Sequence, residues 1–446
     1  MRRITSLGLI GWWLTAGCAS GDDAPAPATT SDDDEGPTYW RDVKPVLDAR
    51  CISCHQAGGI GPFELTTYDE VASVAPLVAA SVRSGQMPPW RAVDHRPYLD
   101  DPSLTDAQIE AIAAWDAAGD PEGDPSSEGP TLPPIGGAVL DRIDHTLTLP
   151  AAYEVTGDDG GDDYRCFLVD WPDDDNVFVT GFEAVPANDR VVHHMAAFLL
   201  RSDGPGASSV IDTFQGWQER EEGPGYGCFG GPSATGEELD APTLQIAQWV
   251  PGSGAVTFPE GTGIEVPAGS KVVLQMHYYT GGLTGEIDQS EIHFTTSPSV
   301  ERVAAFAPFL DPLWPLAGMD IPAGSVDHEH SYRSDPSGFL ALFLAGFDLS
   351  GGFDVHSTMM HMHRLGSTAT LRHHRSDGEA DILLEVEDWD FDWQLDYRFA
   401  EPVAFRPGDE LEVTCTWSNP TDEDRAWGEG SDQEMCVANM YISEPR

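Results

Sequence analysis

Basic residues are scarce in this chain: 23 Lys and Arg stand against 75 Asp and Glu in 446 residues, a formal charge of −52 at pH 7. A surface of that sign repels a polyphosphate backbone, so nucleic acid is excluded as a partner. The acid is spread over loops such as "DDGGDD" at 158–163, as expected of a solvated surface. Long apolar runs are missing as well. No stretch approaches the ~20 apolar residues of a membrane-crossing helix, which excludes a helical span. Histidine is rare, at 14, so the places where it gathers carry information. The length is too great for one ordinary core and predicts two or three domains.

The first residues read as an export signal, residues 1–18. Arg2 and Arg3 precede an apolar run from Ile4 to Leu14, and small residues surround Cys18 in "LTAGCAS". This resembles a bacterial lipoprotein signal, which implies that Cys18 is lipidated. The protein would then be a periplasmic or cell-envelope lipoprotein that meets a membrane only through its lipid anchor; cleavage and release is the other outcome. Residues 19–37, rich in Pro, Ala, Thr and acid, cannot bury a core and read as a disordered linker.

Helical spacing of apolar residues follows, in "YWRDVKPVLDARC" and in "LTDAQIEAIAAWDAAG" with Thr105 as its cap. A second linker covers 126–140. Beyond it come short β-like runs between Pro, Gly and Asp turns: "NVFVTGFEAV", "VVHHMAAFLL", "KVVLQMHYYT", "FLALFLAGFDLS", "WDFDWQLDY" and "ELEVTCTWS". The expected fold is mainly β: two jelly-roll-like antiparallel sandwiches, 141–300 and 301–446, behind a small all-α domain at 38–125. A weak repeat, "VPAGS" at 266–270 and "IPAGS" at 321–325, favours two β units. Four cysteines, Cys166, Cys228, Cys415 and Cys436, can make two disulfides in an exported chain, with three pairings open.

"CISCH" places Cys51, Cys54 and His55 in the C-x-x-C-H arrangement that attaches c-type haem, the thiols as thioethers and the histidine on the iron. A dithiol redox motif and half of a zinc site are the competing readings. The region also resembles the small cytochrome c domains fused to secreted bacterial enzymes, including "SGQMPPW". Met87 is the expected distal ligand, with His95 the alternative.

Residues 359–366 read "MMHMHRLG". In an extended segment, residues two apart share a face, so His361 and His363 can present both imidazoles toward one point. "VVHHMAAFLL" adds His193 and His194, "QMHYY" adds His277, and "SDQEMCVANM" sets Met435 before Cys436. Singly each pattern is bland. Together, in this order, they resemble the copper type II, ascorbate-dependent monooxygenases, over residues 140 to 446.

That resemblance implies one copper, for electron transfer, held by His193, His194 and His277. It implies a second, for O₂, held by His361, His363 and Met435, with Cys415 and Cys436 as the disulfide that ties down the methionine loop. Imidazole suits both copper oxidation states, and the soft thioether favours Cu(I). The implied enzyme is an exported copper-dependent monooxygenase that takes O₂, a small-molecule substrate and an external electron donor. It needs no catalytic side chain beyond the metal ligands. A covalently bound haem on a flexible tether can stay near a copper that must be re-reduced, and it is expected to deliver electrons to the His193, His194 and His277 site. The other reading is a haem and copper electron-transfer or copper-binding protein without hydroxylase activity. One departure matters. The peptide-processing member of the family clamps a carboxylate with an arginine and a tyrosine, where this chain has Met359 and Asn439, which argues against a peptidylglycine substrate. His356, His373 and His374 read as structural or exposed.

Overall fold

Helices occupy the first part of the folded chain, where apolar residues recur one turn apart. The computed structural model describes residues 36–57, 59, 61–132, 140–157, 161–228, 231–237, 243–250, 253–316, 318–344, 347–391, 393–428 and 432–446. The expected signal peptide, Cys18 and all but the end of the first linker lie outside the described residues, as does 133–139 of the second linker. Tyr39–Val43 and Lys44–Arg50 run on from one another, followed by Tyr68–Ser73, Ala75–Arg83 and Asp106–Ala117. Thr105 with Gln108, and Thr67 with Glu70, form reciprocal capping boxes that satisfy backbone N–H groups a helix start leaves unpaired. Tyr39, Val43, Leu47, Val71, Ile112 and Trp115 are buried together as the core of this segment.

A strap at 90–101 leaves the helices and lies along later strands. Val93 N–H donates to the Glu385 carbonyl and Leu99 N–H to that of Arg398, both at 2.8 Å, and Ala400 N–H returns a bond to Pro97 at 3.0 Å. Trp90, Tyr98 and Tyr397 meet edge to face beneath it, with centroids 4.7–5.9 Å apart, a geometry that adds to their burial energy. His95 pairs with Glu385 on the same surface.

From His145 onward the chain is mainly β. One continuous sheet runs His145–Thr148, Glu291–Ser297, Val177–Val185, Thr262–Val266, Arg302–Phe309, Val437–Ser443, Phe353–His361 and Tyr397–Phe405. Its pairings are antiparallel except at its middle, where Arg302 and Val303 pair in parallel with Thr262 and Gly263. A five-stranded sheet, in the order Tyr226–Gly227, Asp162–Asp170, Lys271–Tyr279, Val192–Leu200 and Leu244–Trp249, covers the first half. A four-stranded sheet, His328–Ser334, Glu410–Trp417, Gly366–His374 and Ala380–Val386, covers the second. Each cover encloses its own apolar core, one around Phe167, Met276 and Phe294, the other around Phe353, Leu371 and Trp417. Alternation in the strands explains this: in Glu410–Trp417 every second side chain is buried.

Two strand expectations fail. "FLALFLAGFDLS" starts inside the short helix Ser337–Phe343, because an unbroken apolar run lacks the period that separates a buried strand from a buried helix. Among its described residues "WDFDWQLDY" is irregular until Tyr397–Phe405 begins; Trp393 and Gln394 within it line different cavities. The two "PAGS" segments are the same turn. Ser270 N–H bonds the Pro267 carbonyl and Ser325 N–H that of Pro322, with Gly269 and Gly324 at φ 73° and 67°, where a side chain would be strained. The repeat therefore reports turn chemistry.

Candidate metal centres

Adjacent side chains on a strand point to opposite faces, so His193 and His194 need a reason to converge. The pairing supplies one. His277 lies opposite His194 but Tyr278 lies opposite Val192, which leaves His193 as the extra residue of a β-bulge. Released from alternation, its Nδ1 comes within 3.4 Å of His277 Nδ1, and His194 Nδ1 within 3.5 Å of the same atom. The three imidazoles offer ligand atoms that all lie within 4.8 Å of one another. Three nitrogens at ~2.0 Å from a trigonal metal stand about 3.5 Å apart, so the cluster has the dimensions of a metal site.

Protonation agrees with that use. His277 Nε2–H donates to Asp162 Oδ1 at 2.8 Å, which leaves Nδ1 with the lone pair and holds the Asp162 carboxyl below its usual range. Tyr164 stacks on the other face of His277, centroids 4.0 Å apart. Burial pushes His193 down to about 4 and His194 well below its ordinary value. Neutral imidazoles are what copper binds.

The second set gathers at the end of Phe353–His361. His361 closes the strand, Met362 turns away into the core, and the ring of His363 stands 5.1 Å from that of His361. His361 Nδ1–H donates to Gln394 Oε1 at 2.6 Å, and His363 Nδ1–H to the Gln433 carbonyl at 3.1 Å. On each ring Nε2 is thereby the nitrogen left for a metal. Burial lowers the pKa of His361. Glu434 ties these parts together: buried completely, it accepts from His363 N–H at 2.9 Å, Leu365 N–H at 2.7 Å and Trp417 Nε1–H at 2.8 Å. Next to it stands Met435, followed by Cys436, which is bonded to Cys415. The other disulfide joins Cys166 to Cys228.

Both histidine sets reach one cavity of about 410 Å³. His194 and His277 line it on one side, and His361, His363 and Met435 on the other. Met359 and Asn439 also line it, engaged with amides: Gln248 Nε2–H donates to Met359 Sδ and Asn439 Nδ2–H to Gln245 Oε1, both at 2.9 Å. Among the described residues, no Lys, Arg, Asp or Glu lines this space.

Cys51, Cys54 and His55 border a separate cavity of about 270 Å³, with Phe63, Val78, Met87 and Trp393 around it. The two thiols are unpaired, and burial pushes Cys51 up to about 12 and Cys54 upward as well. That is opposite to the lowered pKa of a dithiol redox catalyst. His55 Nδ1–H donates to the Phe63 carbonyl at 2.9 Å, so its Nε2 is the atom left for a metal. A Cβ on Gly61 would lie 2.6 Å from His55 Nδ1, which explains the glycine. These residues fit a haem held through two thioethers, with Met87 on the cavity wall and His95 engaged elsewhere by Glu385. His373 bonds Asp409, His374 bonds Glu412, and His356 bonds Ser443.

Asp162, Gln394, Gln433 and Glu434 escaped the sequence reading. Only the position of Glu434, an acid directly before a candidate ligand, offered a signal.

Residues 346–444 match the family described as copper type II ascorbate-dependent monooxygenase, C-terminal domain. DBH-like monooxygenase protein 1 of Gallus gallus is 26% identical over 263 residues, 57% of this chain and 39% of that protein. The Mus musculus protein of the same name is 26% identical over 258 residues, with the same coverage. MOXD1 homolog 1 of Drosophila melanogaster is 24% identical over 252 residues, 56% of this chain and 34% of that protein. The chain spans between a third and two fifths of the length of these relatives. Likeness to solved structures is slight, as with an infectious bursal disease virus structure at 9% identity and a TM-score of 0.15, and bears on neither fold nor function. The match over 346–444 and the DBH-like monooxygenase relatives support the copper type II monooxygenase family for this chain.

Proposed function

We propose that this chain is an exported copper-dependent monooxygenase that hydroxylates a C–H bond of a small substrate with O₂ and draws electrons through a fused c-type haem. The observation that carries the reading is the single cavity with imidazoles of both sets and Met435 on its walls. His193, His194 and His277 hold one copper through Nδ1. His361 and His363, through Nε2, hold the other together with the Met435 thioether. Bound there, the metal supplies one-electron redox chemistry toward O₂ that no side chain can perform. The protein fixes the tautomers of three rings: Asp162, Gln394 and the Gln433 carbonyl each accept a hydrogen bond from the non-ligating N–H. Burial of His193, His194 and His361 disfavours their protonation and keeps their lone pairs available.

Met359 and Asn439 leave no cationic clamp for a carboxylate. The amides of Gln245, Gln248 and Asn439 instead suit hydrogen bonding to an uncharged group, and Leu244, Phe306 and Pro308 supply apolar walls. The haem is held at Cys51, Cys54 and His55 with Met87 as distal ligand, in a cytochrome-like domain at 38–125, followed by β domains at 141–300 and 301–446. The signal at 1–18, with lipidation at Cys18, makes the protein a periplasmic or cell-envelope lipoprotein. Two disulfides suit such a compartment, and no helix among the described residues is long and apolar enough to cross a membrane.

Metal and haem analysis of the purified protein, followed by O₂ uptake against a panel of uncharged small molecules, tests the reading. Two coppers, one covalent haem and substrate-dependent O₂ consumption that vanishes in His363→Ala are expected. Copper and haem without any substrate-dependent uptake would establish the electron-transfer alternative instead.

A further inference from the structure

Two consecutive side chains in the irregular approach to Tyr397–Phe405, Trp393 and Gln394, line different cavities. Trp393 lines the cavity of Cys51, Cys54 and His55, whereas Gln394 lines the cavity of the two histidine sets. Gln394 is 4% exposed and locked at both ends of its amide. Its Nε2–H donates to the Phe391 carbonyl at 2.9 Å, which turns Oε1 onto His361 Nδ1 at 2.6 Å. The Trp393–Gln394 peptide, the two side chains it carries and one hydrogen bond thus connect the wall of the C-x-x-C-H cavity to the His361 imidazole.

The strap at 90–101 makes this juxtaposition a built one. Its backbone bonds to Glu385 and Arg398 and its aromatic contacts with Tyr397 fix the helical segment against the strands that flank 389–397. A smaller cavity lined by Cys54, Trp90 and Trp393 also meets residues 253–256 of the first β half. From there the connection to the other centre is longer. Trp249 Nε1–H donates to the Ser253 carbonyl at 2.9 Å, Trp249 lies across the sheet from Met195, and only then comes His194.

We infer that Trp393 and Gln394 carry electrons from the haem held by His55 to the copper held by His361, so that the haem feeds the Met435 centre directly and not the His193 centre, the acceptor expected from the sequence. The inference rests on the proposed haem and copper contents. The step moves one electron and no atoms: the iron passes from ferrous to ferric as the copper passes from Cu(II) to Cu(I), and an external one-electron donor restores the iron. Trp393 acts as a π-system at the cavity wall, and Gln394 acts as a positioning residue that holds the receiving imidazole in its tautomer.

The test uses the full chain with haem and Cu(II) loaded, without oxygen. A flash-generated reductant puts one electron on the haem, and the haem α-band and the Cu(II) electron paramagnetic resonance signal are followed together. Fast haem reoxidation should persist in His193→Ala and be lost in His363→Ala, with decay of the remaining Cu(II) signal in step where it persists. Trp393→Leu should lose the fast phase and Trp393→Phe keep it. Gln394→Leu, with the indole intact, should lose the phase, alter the spectrum of the Met435 centre alone and weaken its copper affinity about 10- to 100-fold. A fast phase that follows the His193 centre, or that survives in both Trp393→Leu and Gln394→Leu, overturns the inference. Haem and copper counts on every variant separate that failure from failure of the proposed cofactor contents, which a wild-type protein without covalent haem would reveal.

Discussion

Glu434 is the buried group that ties His363 and Leu365 to Trp417 beside Met435, and its removal has a calculable cost. Oε2 accepts from both His363 N–H and Trp417 Nε1–H, and Oε1 from Leu365 N–H. Glu434→Ala leaves three enclosed donors without an acceptor. At ~1 kcal/mol each, the low end for an unsatisfied buried group, the destabilisation is at least about 3 kcal/mol. Glu434→Gln can keep an oxygen at the Oε2 position, sacrificing only the bond to Leu365, and should cost about 1 kcal/mol. Urea unfolding of the metal-free protein reads both numbers. Copper titration of the same variants should show affinity lost at the Met435 centre and kept at the His193 centre. Equal costs for the two substitutions, or an alanine variant within about 0.5 kcal/mol of wild type, the range of ordinary surface changes, would refute the argument.

Other outcomes follow from the same geometry. Asp162→Asn removes the carboxylate that orients His277 and should weaken copper at the first centre about 10- to 100-fold, read by competition with a chelator; unchanged affinity would contradict the tautomer argument. Cys415→Ser with Cys436→Ser opens a cross-link of sequence separation 21 and should cost about 3 kcal/mol in chemical denaturation, together with copper at the Met435 centre only. His356, beside Arg302, Asp354 and Arg446, is pushed by burial from 6.5 down to about 4. Its contribution is therefore whole above pH ~6.5 and is lost as pH falls toward 4, because the unfolded chain takes up the proton first; the difference amounts to about 3 kcal/mol. His356→Gln should flatten that part of the acid slope of stability, and an unaltered slope would count against the assignment.

The candidate ligands were legible because histidine is scarce here and its spacing is specific. The structure brings His193, His194 and His277 within a few ångströms of one another and sets His361, His363 and Met435 on the wall of the same cavity. What supports them was not legible. Asp162 sits in a run of acid, Gln394 in an alternating stretch that mimicked a strand, and the bulge that turns His193 inward depends on pairing between distant strands. Tertiary context decides such positions. The strap at 90–101 was equally hidden, since its bonds run through backbone groups that every residue carries. Strand periodicity succeeded where one face is wet, as in Glu410–Trp417, and failed in "FLALFLAGFDLS", where apolar residues leave no period to read.

The parallel junction of Thr262–Val266 with Arg302–Phe309 welds the two β halves into a shared ladder. A hinge at that seam would have to break peptide hydrogen bonds before it could bend. The His194 wall of the cavity and its His361 wall are therefore coupled through backbone pairing at that seam.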